Sequence, residues 1–342
     1  MSGVNWKLAA RVAGRLSGSH PLESTYHFRQ FERRASDLVA RAAELASAET
    51  GLDWVGDPVV AVVTRREWAQ TNLNSFGTLL ASAEQHLKST GFGNRLASRL
   101  MGAEVGALVG ILAKRVLGQY ELVLPGDDGG DGDTVMFVGV NVLDMERKNE
   151  FRPDEFRFWV ALHECTHRLQ FTGVPWLKQY FLDLVDSLVE TSSPEPGRMH
   201  RIRDEMRAAA REGRPLIDER GLMGLLATPD QRDLIDRVQA LMSLLEGHGH
   251  VVMDRIGARV LVTQDRMARV LKMRRKDPRM ASFLRLTGLE MKMKQYEQGQ
   301  QFILAVERRA GFSALDAVWS GADALPTLDE IRDPDRWLSR VA

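Results

Sequence analysis

Five consecutive residues have the types and spacing of a hydrolytic metal site: His163-Glu164-Cys165-Thr166-His167. Residues four apart share one face of a helix, so His163 and His167 project side by side, while Glu164 lies roughly 100° around the axis from His163. In zinc hydrolases, neutral imidazoles hold Zn²⁺, the ion lowers the pKa of a bound water, and a carboxylate takes the proton as that water attacks a carbonyl. The spacing therefore predicts two zinc ligands, His163 and His167, and a general base, Glu164.

The flanking residues predict that this run lies in a buried helix. Pro153 suits a first helical turn, and Asp154 and Glu155 favour the positive end of a helix. Apolar residues surround most of the helix, where an unpaired polar group costs about 1–3 kcal/mol. A metal would satisfy both histidines, and ordinary hydrogen bonds to backbone or water are the alternative. Cys165 lies roughly 200° around the helix from His163 and is predicted to be a small buried hydrophobic residue.

Composition limits the classes of partner. The 46 Lys and Arg residues balance 46 Asp and Glu residues, so no net charge favours nucleic acid or an anionic membrane. The single Cys excludes an internal disulfide framework, and the N-terminal stretch is typical of an amphipathic helix, so we expect a cytoplasmic protein. The most membrane-like stretch, Val105 to Ala113, is far shorter than the roughly 20 residues that span a bilayer. Glycines at 102, 106 and 110 predict close helix packing instead.

Periodicity predicts a mainly helical N-terminal part, residues 1–125, with one strand at Val59 to Val63. Two further strands, Tyr120 to Leu124 and Thr134 to Val142, flank an acidic glycine-rich loop and are predicted to pair as a hairpin. Because Val138 stands where an EF-hand needs its closing Glu, we expect a solvated loop there. Four helices are predicted in the metal-site region, residues 126–342, in addition to the helix of the motif: Trp176–Val189, Met199–Arg211, Pro229–Val262 and Leu289–Ala310. No long linker separates these parts, which favours one domain over 1–342.

The third metal ligand must come from elsewhere, since catalytic zinc usually takes three protein ligands and a water. Glu246 and His250 share one face of a predicted helix, and His248 points to the opposite side. Gly247 and Gly249 each cost roughly 1 kcal/mol in a helix interior, so their presence predicts close packing against a neighbour. Either Glu246 or His250 can bind the metal while the other supports it.

At this point the chain resembles the zincin superfamily and, within it, the gluzincins, in which His-Glu-x-x-His is completed by a Glu on a later helix, often within Glu-x-x-x-Asp. Glu246 matches that Glu, and His250 replaces the Asp, a departure that leaves open whether His250 orients a ligand or binds the metal. More closely, the chain is similar to a bacterial family of zincin-like metallopeptidases associated with biosynthesis of a deazaflavin coenzyme. The matching stretches are 116–120, 159–171, 245–254 and 294–299. The resemblance implies a predominantly helical α+β fold with a small mixed or antiparallel sheet, zinc as the cofactor and Glu246 as third ligand.

Hydrolysis also needs a hydrogen-bond donor for the tetrahedral oxyanion, and zincins commonly use His or Tyr. Tyr296, which lies among polar residues, is the first candidate, and Tyr180 is the second; a structural role is the alternative for both. The family resemblance also implies that the strand Thr134 to Val142 is an edge strand that pairs with an extended peptide. A purely structural edge strand is the alternative.

Three functions fit these residues. The first is a zinc metallopeptidase; the second is a zinc amidase or esterase for a small metabolite, with the same metal site in a closed pocket. The third is a non-catalytic scaffold that binds metal or a partner. Glu164 favours the two enzymes, because a structural metal site needs no base.

Overall fold

Helices dominate the protein. The computed structural model describes residues 4–80, 95–122, 132–191, 229–275 and 290–341. Within these ranges, one three-stranded mixed sheet accompanies the helices, which confirms the predicted α+β, mainly helical class. The α-helices are α1 (Trp6–Ser17), α2 (Tyr26–Thr50), α3 (Arg65–Leu79), α4 (Arg95–Leu112), α5 (Gly139–Asn149), α6 (Pro153–Gly173), α7 (Leu177–Thr191), α8 (Pro229–Val260), α9 (Gln264–Arg275), α10 (Glu290–Ala310), α11 (Leu328–Arg332) and α12 (Pro334–Val341).

The chain forms two compact units. The first comprises Met1–Lys178 and Val252–Leu271, and the second comprises Gln179–Val251 and Lys272–Ala342. The division falls within the long helix α8. The sheet and α6 belong to the first unit, and α10 belongs to the second. The predicted helix Met199–Arg211 lies outside the described residues.

The sheet lies in the first unit and has the order β1-β3-β2. β1 is Val59–Val63, as predicted, and it pairs in parallel with the central strand β3, Thr134–Val138. β2, Gly118–Glu121, pairs antiparallel with β3, which confirms the predicted antiparallel pairing, although the strand begins two residues before the predicted start at Tyr120. The last four residues of β3 are buried, as expected for a strand between two others.

Two expectations for the strand beginning at Thr134 are wrong. The strand ends at Val138 because the chain enters α5 at Gly139, where an added Cβ would lie 2.6 Å from Val62 Cγ1. The strand is also not an edge strand, since β1 and β2 occupy its two sides. Its backbone groups are used within the sheet, and the edge next to α6 belongs to β2.

Close helix packing in the first unit confirms the role predicted for the glycine stripe. A Cβ on Gly102 would lie 2.5 Å from the main-chain oxygen of Asn5, and Cβ atoms on Gly106 and Gly110 would meet the main chain at Ala9 and Ala13. Helix α4 therefore lies directly against the backbone of α1. Among the described residues, no helix is long and apolar enough to cross a membrane.

Glycines also allow two helices of the second unit to cross. A Cβ on Gly247 of α8 would collide with the main chain of Gly299 in α10, and a Cβ on Gly299 would collide with the main-chain oxygen of Ser243. This confirms the close packing predicted for Gly247. The bounds of α8 and α10 agree with the predicted helices to within two residues.

Candidate metal centre

Helix α6 positions the motif in the first unit. Pro153 occupies its first turn together with Asp154 and Glu155, and Glu155 Oε2 accepts hydrogen bonds from the main-chain nitrogen and the hydroxyl of Thr263 (2.8 and 2.6 Å). The helix is buried along most of its length. Its start and its interior are therefore fixed by contacts on several sides, as the sequence predicts.

The two motif histidines present the same ring nitrogen to one point. Their Nε2 atoms lie 3.2 Å apart, with the rings nearly perpendicular, and both side chains are half-buried. His167 Nδ1 lies 2.9 Å from Oε1 of the buried Gln170. Because that amide oxygen accepts a hydrogen bond, Nδ1 of His167 holds the proton and its Nε2 holds the lone pair. Two zinc–nitrogen bonds of about 2.0–2.1 Å in a tetrahedral site place their nitrogens roughly 3.3 Å apart, which these histidines match.

Glu164 is buried beside the sheet, with 5% of its surface exposed. Its carboxylate lies against the backbone of Gly118 at the start of β2. The next residue but one on that strand, Tyr120, stacks against Phe171 of α6, with ring centroids 6.3 Å apart. Edge strand β2 thus runs along the helix that holds the two histidines and Glu164.

Cys165 is completely buried on another side of α6, where its Sγ lies 3.7 Å from the main-chain oxygen of Val39. Burial, and next the charge of Glu164, raise the pKa of this thiol. A neutral, inaccessible thiol is neither a metal ligand nor a nucleophile. The predicted role as a small hydrophobic residue is confirmed.

Arg168 ties the motif helix to the sheet, a role that sequence reasoning missed. Its buried guanidinium forms a bidentate ion pair with Asp133 (2.7 and 2.6 Å) and donates to the main-chain oxygen of Val55 (2.6 Å). It also lies over the ring of Trp54, 4.1 Å from the centroid. Asp133 directly precedes β3, and Val55 lies in the segment that leads into β1. The Arg168 side chain therefore fixes α6 to the segments before both strands. The sequence feature that indicates this role is the Arg directly after the motif.

The candidate third ligands lie one turn apart on α8, in the second unit, and both are half-buried. Nδ1 of His250 is 3.0 Å from the main-chain oxygen of Glu246, so Nδ1 carries the proton and Nε2 carries the lone pair. His248 is buried, stacked on Phe312 and edge-on to Trp319. These aromatic contacts show that His248 packs in the core of the second unit.

The two candidate tyrosines have different surroundings. Tyr180, on α7, lines a cavity of about 820 Å³ in the second unit, and its hydroxyl accepts a 3.4 Å hydrogen bond from Arg237. Tyr296 lies on α10, but its side chain is outside the described part of the structure. The role of Tyr296 in stabilising an oxyanion stays a prediction.

The donor set in the first unit fits a metal ion. Two imidazoles with Nε2 atoms 3.2 Å apart, one of them held by the amide of Gln170, match the nitrogen ligands and the supporting hydrogen bond that Zn²⁺ takes in proteins. A buried carboxylate directly follows the first histidine. Together with the helix-and-strand arrangement, these residues are of the kind that metal-dependent hydrolases use.

Comparisons with known proteins agree with this class. A family described as zincin-like metallopeptidases matches residues 4–338, so the chain belongs to that family, as the sequence motifs predicted. A crystal structure from Chloroflexus aurantiacus, described as a candidate hydrolase with a novel fold, is similar over 98% of each chain, with 29% identity and a TM-score of 0.72. No curated protein matches significantly. The family implies a metal at the site, and both comparisons support a hydrolase.

Proposed function

We propose that this protein is a zinc-dependent peptidase. The observation that carries the proposal is the convergence of the Nε2 atoms of His163 and His167, 3.2 Å apart, on the helix whose Glu164 is buried beside an edge strand. Structural zinc sites need no base, whereas this helix places a carboxylate directly after a ligand. Membership of the zincin-like metallopeptidase family supports the proposal.

Each residue has a separate role in the proposed reaction. When bound, zinc would acidify a water and polarise the carbonyl that the water attacks. His163 and His167 would hold the ion, and the hydrogen bond to Gln170 favours the tautomer of His167 that can do so. Glu164 accepts the proton of the attacking water and passes it to the leaving amine.

Glu246 is proposed as the third ligand, with His250 beside it. The hydrogen bond from His250 Nδ1 to the main-chain oxygen of Glu246 leaves His250 Nε2 with its lone pair, so His250 is also chemically able to bind. Measuring bound zinc in Glu246→Ala and His250→Ala decides between them. We expect the larger loss in Glu246→Ala; retained stoichiometric zinc in that variant would assign the role to His250 or exclude both.

The edge strand β2 supplies a place for an extended substrate. The main-chain nitrogen of Val138 donates to the oxygen of Leu117 (2.9 Å), and Gly118 stands opposite Phe137. Because hydrogen-bonded and non-bonded pairs alternate in an antiparallel ladder, the N–H and C=O groups of Gly118 and Tyr120 point away from β3. A peptide paired there would run past Glu164, in the manner of strand addition.

The proposal is tested by comparing metal-free and zinc-reconstituted protein on a peptide mixture prepared from denatured casein. New peptide termini, detected by mass spectrometry, are expected only with zinc and not with reconstituted His163→Ala. Cleavage that is equal with and without zinc would contradict the proposal. Hydrolysis of small amides such as aminoacyl anilides, with no cleavage of peptides, would replace the peptidase by a small-molecule amidase.

A further inference from the structure

Gly118 is the point at which the edge strand meets the proposed base. A Cβ built on Gly118 would lie 2.7 Å from both Cγ and Oε1 of Glu164 and 2.9 Å from its Cδ. Carbon atoms in contact are normally about 3.5–4.0 Å apart, so these separations are far too short. The carboxylate occupies its position only because residue 118 has no side chain.

The backbone conformation of Gly118 does not itself require glycine. Positive φ angles among the described glycines occur at 18, 51, 56 and 311, and Gly118 is not one of them. Alanine can therefore adopt the same backbone conformation. The contact with Glu164 is what a methyl group at residue 118 would change.

The strand is held on the side that faces α6. Tyr120 stacks on Phe171 and hydrogen-bonds to Asp133, the carboxylate that Arg168 binds through two nitrogens. Burial, followed by the charge of Asp133, raises the pKa of Tyr120, so its hydroxyl keeps the proton that it donates. These contacts prevent β2 from moving away from α6.

The strand is also held on its opposite face, where alternate residues point towards α3. Gln119 Oε1 accepts a 2.7 Å hydrogen bond from Trp68 Nε1, and Glu121 Oε1 accepts a 3.0 Å hydrogen bond from Ser75. These contacts on both faces, all made by buried or half-buried side chains of the strand, leave it little freedom to move. A side chain at residue 118 would therefore displace Glu164 and leave the strand in place.

We propose that Gly118 is a positioning residue for Glu164: its bare backbone sets where the carboxylate lies relative to His163 and His167. This inference rests on the proposed function, because it assigns Glu164 the role of base. Misplacing a catalytic group by about 1 Å costs roughly 100-fold in rate, so a single methyl group is expected to be costly.

The test is Gly118→Ala in the full-length, metal-loaded protein. We expect zinc content equal to wild type, a kcat at least about tenfold lower on the casein peptides, and a KM within about twofold. A second readout needs no substrate: the pH midpoint of the visible spectrum of the Co²⁺-loaded protein should shift in the direction that Glu164→Gln produces. A kcat and a pH midpoint of Gly118→Ala that both equal those of wild type would overturn the inference.

Gly139→Ala is the matched control, since an added Cβ there meets Val62 and Phe28 at 2.6–2.7 Å and leaves Glu164 untouched. Gly139→Ala should lower the melting temperature without changing the pH midpoint of the Co²⁺ spectrum. An equal shift of this midpoint in both variants would mean that Gly118 has only a structural role.

If Gly118→Ala does not fold, the double variant Gly118→Ala/Glu164→Ala is compared with Glu164→Ala. Recovered folding supports the contact with Glu164, and continued failure to fold overturns it.

The two proposals fail in distinguishable ways. Full peptide hydrolysis by Glu164→Gln would refute Glu164 as base, and Gly118 would then have no catalytic group to position. An inactive Glu164→Gln together with a fully active Gly118→Ala would refute only the inference about Gly118.

Discussion

At the scale of single residues, the site depends on which ring nitrogen of His167 holds the proton. Gln170 is completely buried, and its amide oxygen is 2.9 Å from His167 Nδ1. This hydrogen bond directs the Nε2 lone pair towards the same point as His163 Nε2. The buried amide is thus as much a part of the candidate site as the two histidines.

Gln170→Leu is expected to weaken zinc binding by about 10–100-fold, the usual cost of removing a hydrogen bond that supports a metal ligand. Competition with a chromophoric zinc chelator measures the change in Kd. Gln179→Leu is the control, because Gln179 is exposed on α7 and bonds only to Asp183 among the partners described for it. An unchanged Kd in Gln170→Leu would show that the amide does not support the ligand.

Residues with local roles were predictable from the sequence, and residues with long-range roles were not. The helical spacing of four between His163 and His167 and the burial of Cys165 follow from helix geometry alone. The pairing of Arg168 with Asp133 and the contact of Gly118 with Glu164 join residues far apart in the chain. They depend on how the sheet docks on α6, which no local pattern encodes.

At the scale of elements, the crossing of α8 and α10 is closest at Gly247 and Gly299, where main chain meets main chain. Main-chain atoms of a helix cannot move aside as the end of a flexible side chain can. Gly299→Ala is expected to destabilise the protein by at least the roughly 3 kcal/mol at the upper end of overpacking costs. Urea unfolding followed by circular dichroism measures the change.

Gly321→Ala is the matched control for that prediction. Gly321 lies in the same unit, and a Cβ there meets no atom within 4 Å. The free energy of unfolding of Gly321→Ala should stay within about 0.5 kcal/mol of that of wild type, as for surface substitutions in general. Equal stability of Gly299→Ala and Gly321→Ala would contradict the close crossing.

The sheet shows where periodicity succeeds and fails. The bounds predicted for the strand Val59 to Val63 agree with the structure, because turn residues precede this run of Val and Ala. The apolar run that begins at Thr134 predicts a strand as far as Val142, but Val140 and Val142 are buried in α5. Short apolar runs fit buried strands and buried helices equally well, and strand order is not a local property. The edge position that the family resemblance implies for the strand beginning at Thr134 belongs instead to β2.

At the scale of the whole molecule, family membership over residues 4–338 extends across both compact units. The chain carries no formal net charge, so its total charge favours neither cationic nor anionic substrates. We therefore expect contacts close to the site to select the substrate. In the first unit, the described features able to make such contacts are the β2 edge and the half-buried histidines.

Zinc is expected to raise the thermal stability of the whole protein, because a ligand that binds only the folded state stabilises it by mass action. At free zinc about 100-fold above Kd, the gain is about 2.7 kcal/mol, which corresponds to a Tm increase of several degrees. Differential scanning calorimetry of metal-free and zinc-loaded protein measures it. His163→Ala should show no increase, and an equal increase in that variant would place the bound zinc elsewhere.

The most direct test of the central claim is the rate of peptide hydrolysis by zinc-loaded wild type and Glu164→Gln, with zinc content measured in both. Gln is close to Glu in shape but cannot accept a proton at neutral pH. We expect equal zinc content and a rate reduced by about 10²–10⁴-fold, the usual contribution of a general base. Equal rates in the two proteins would contradict the assignment of Glu164 as the base and, with it, the proposed mechanism.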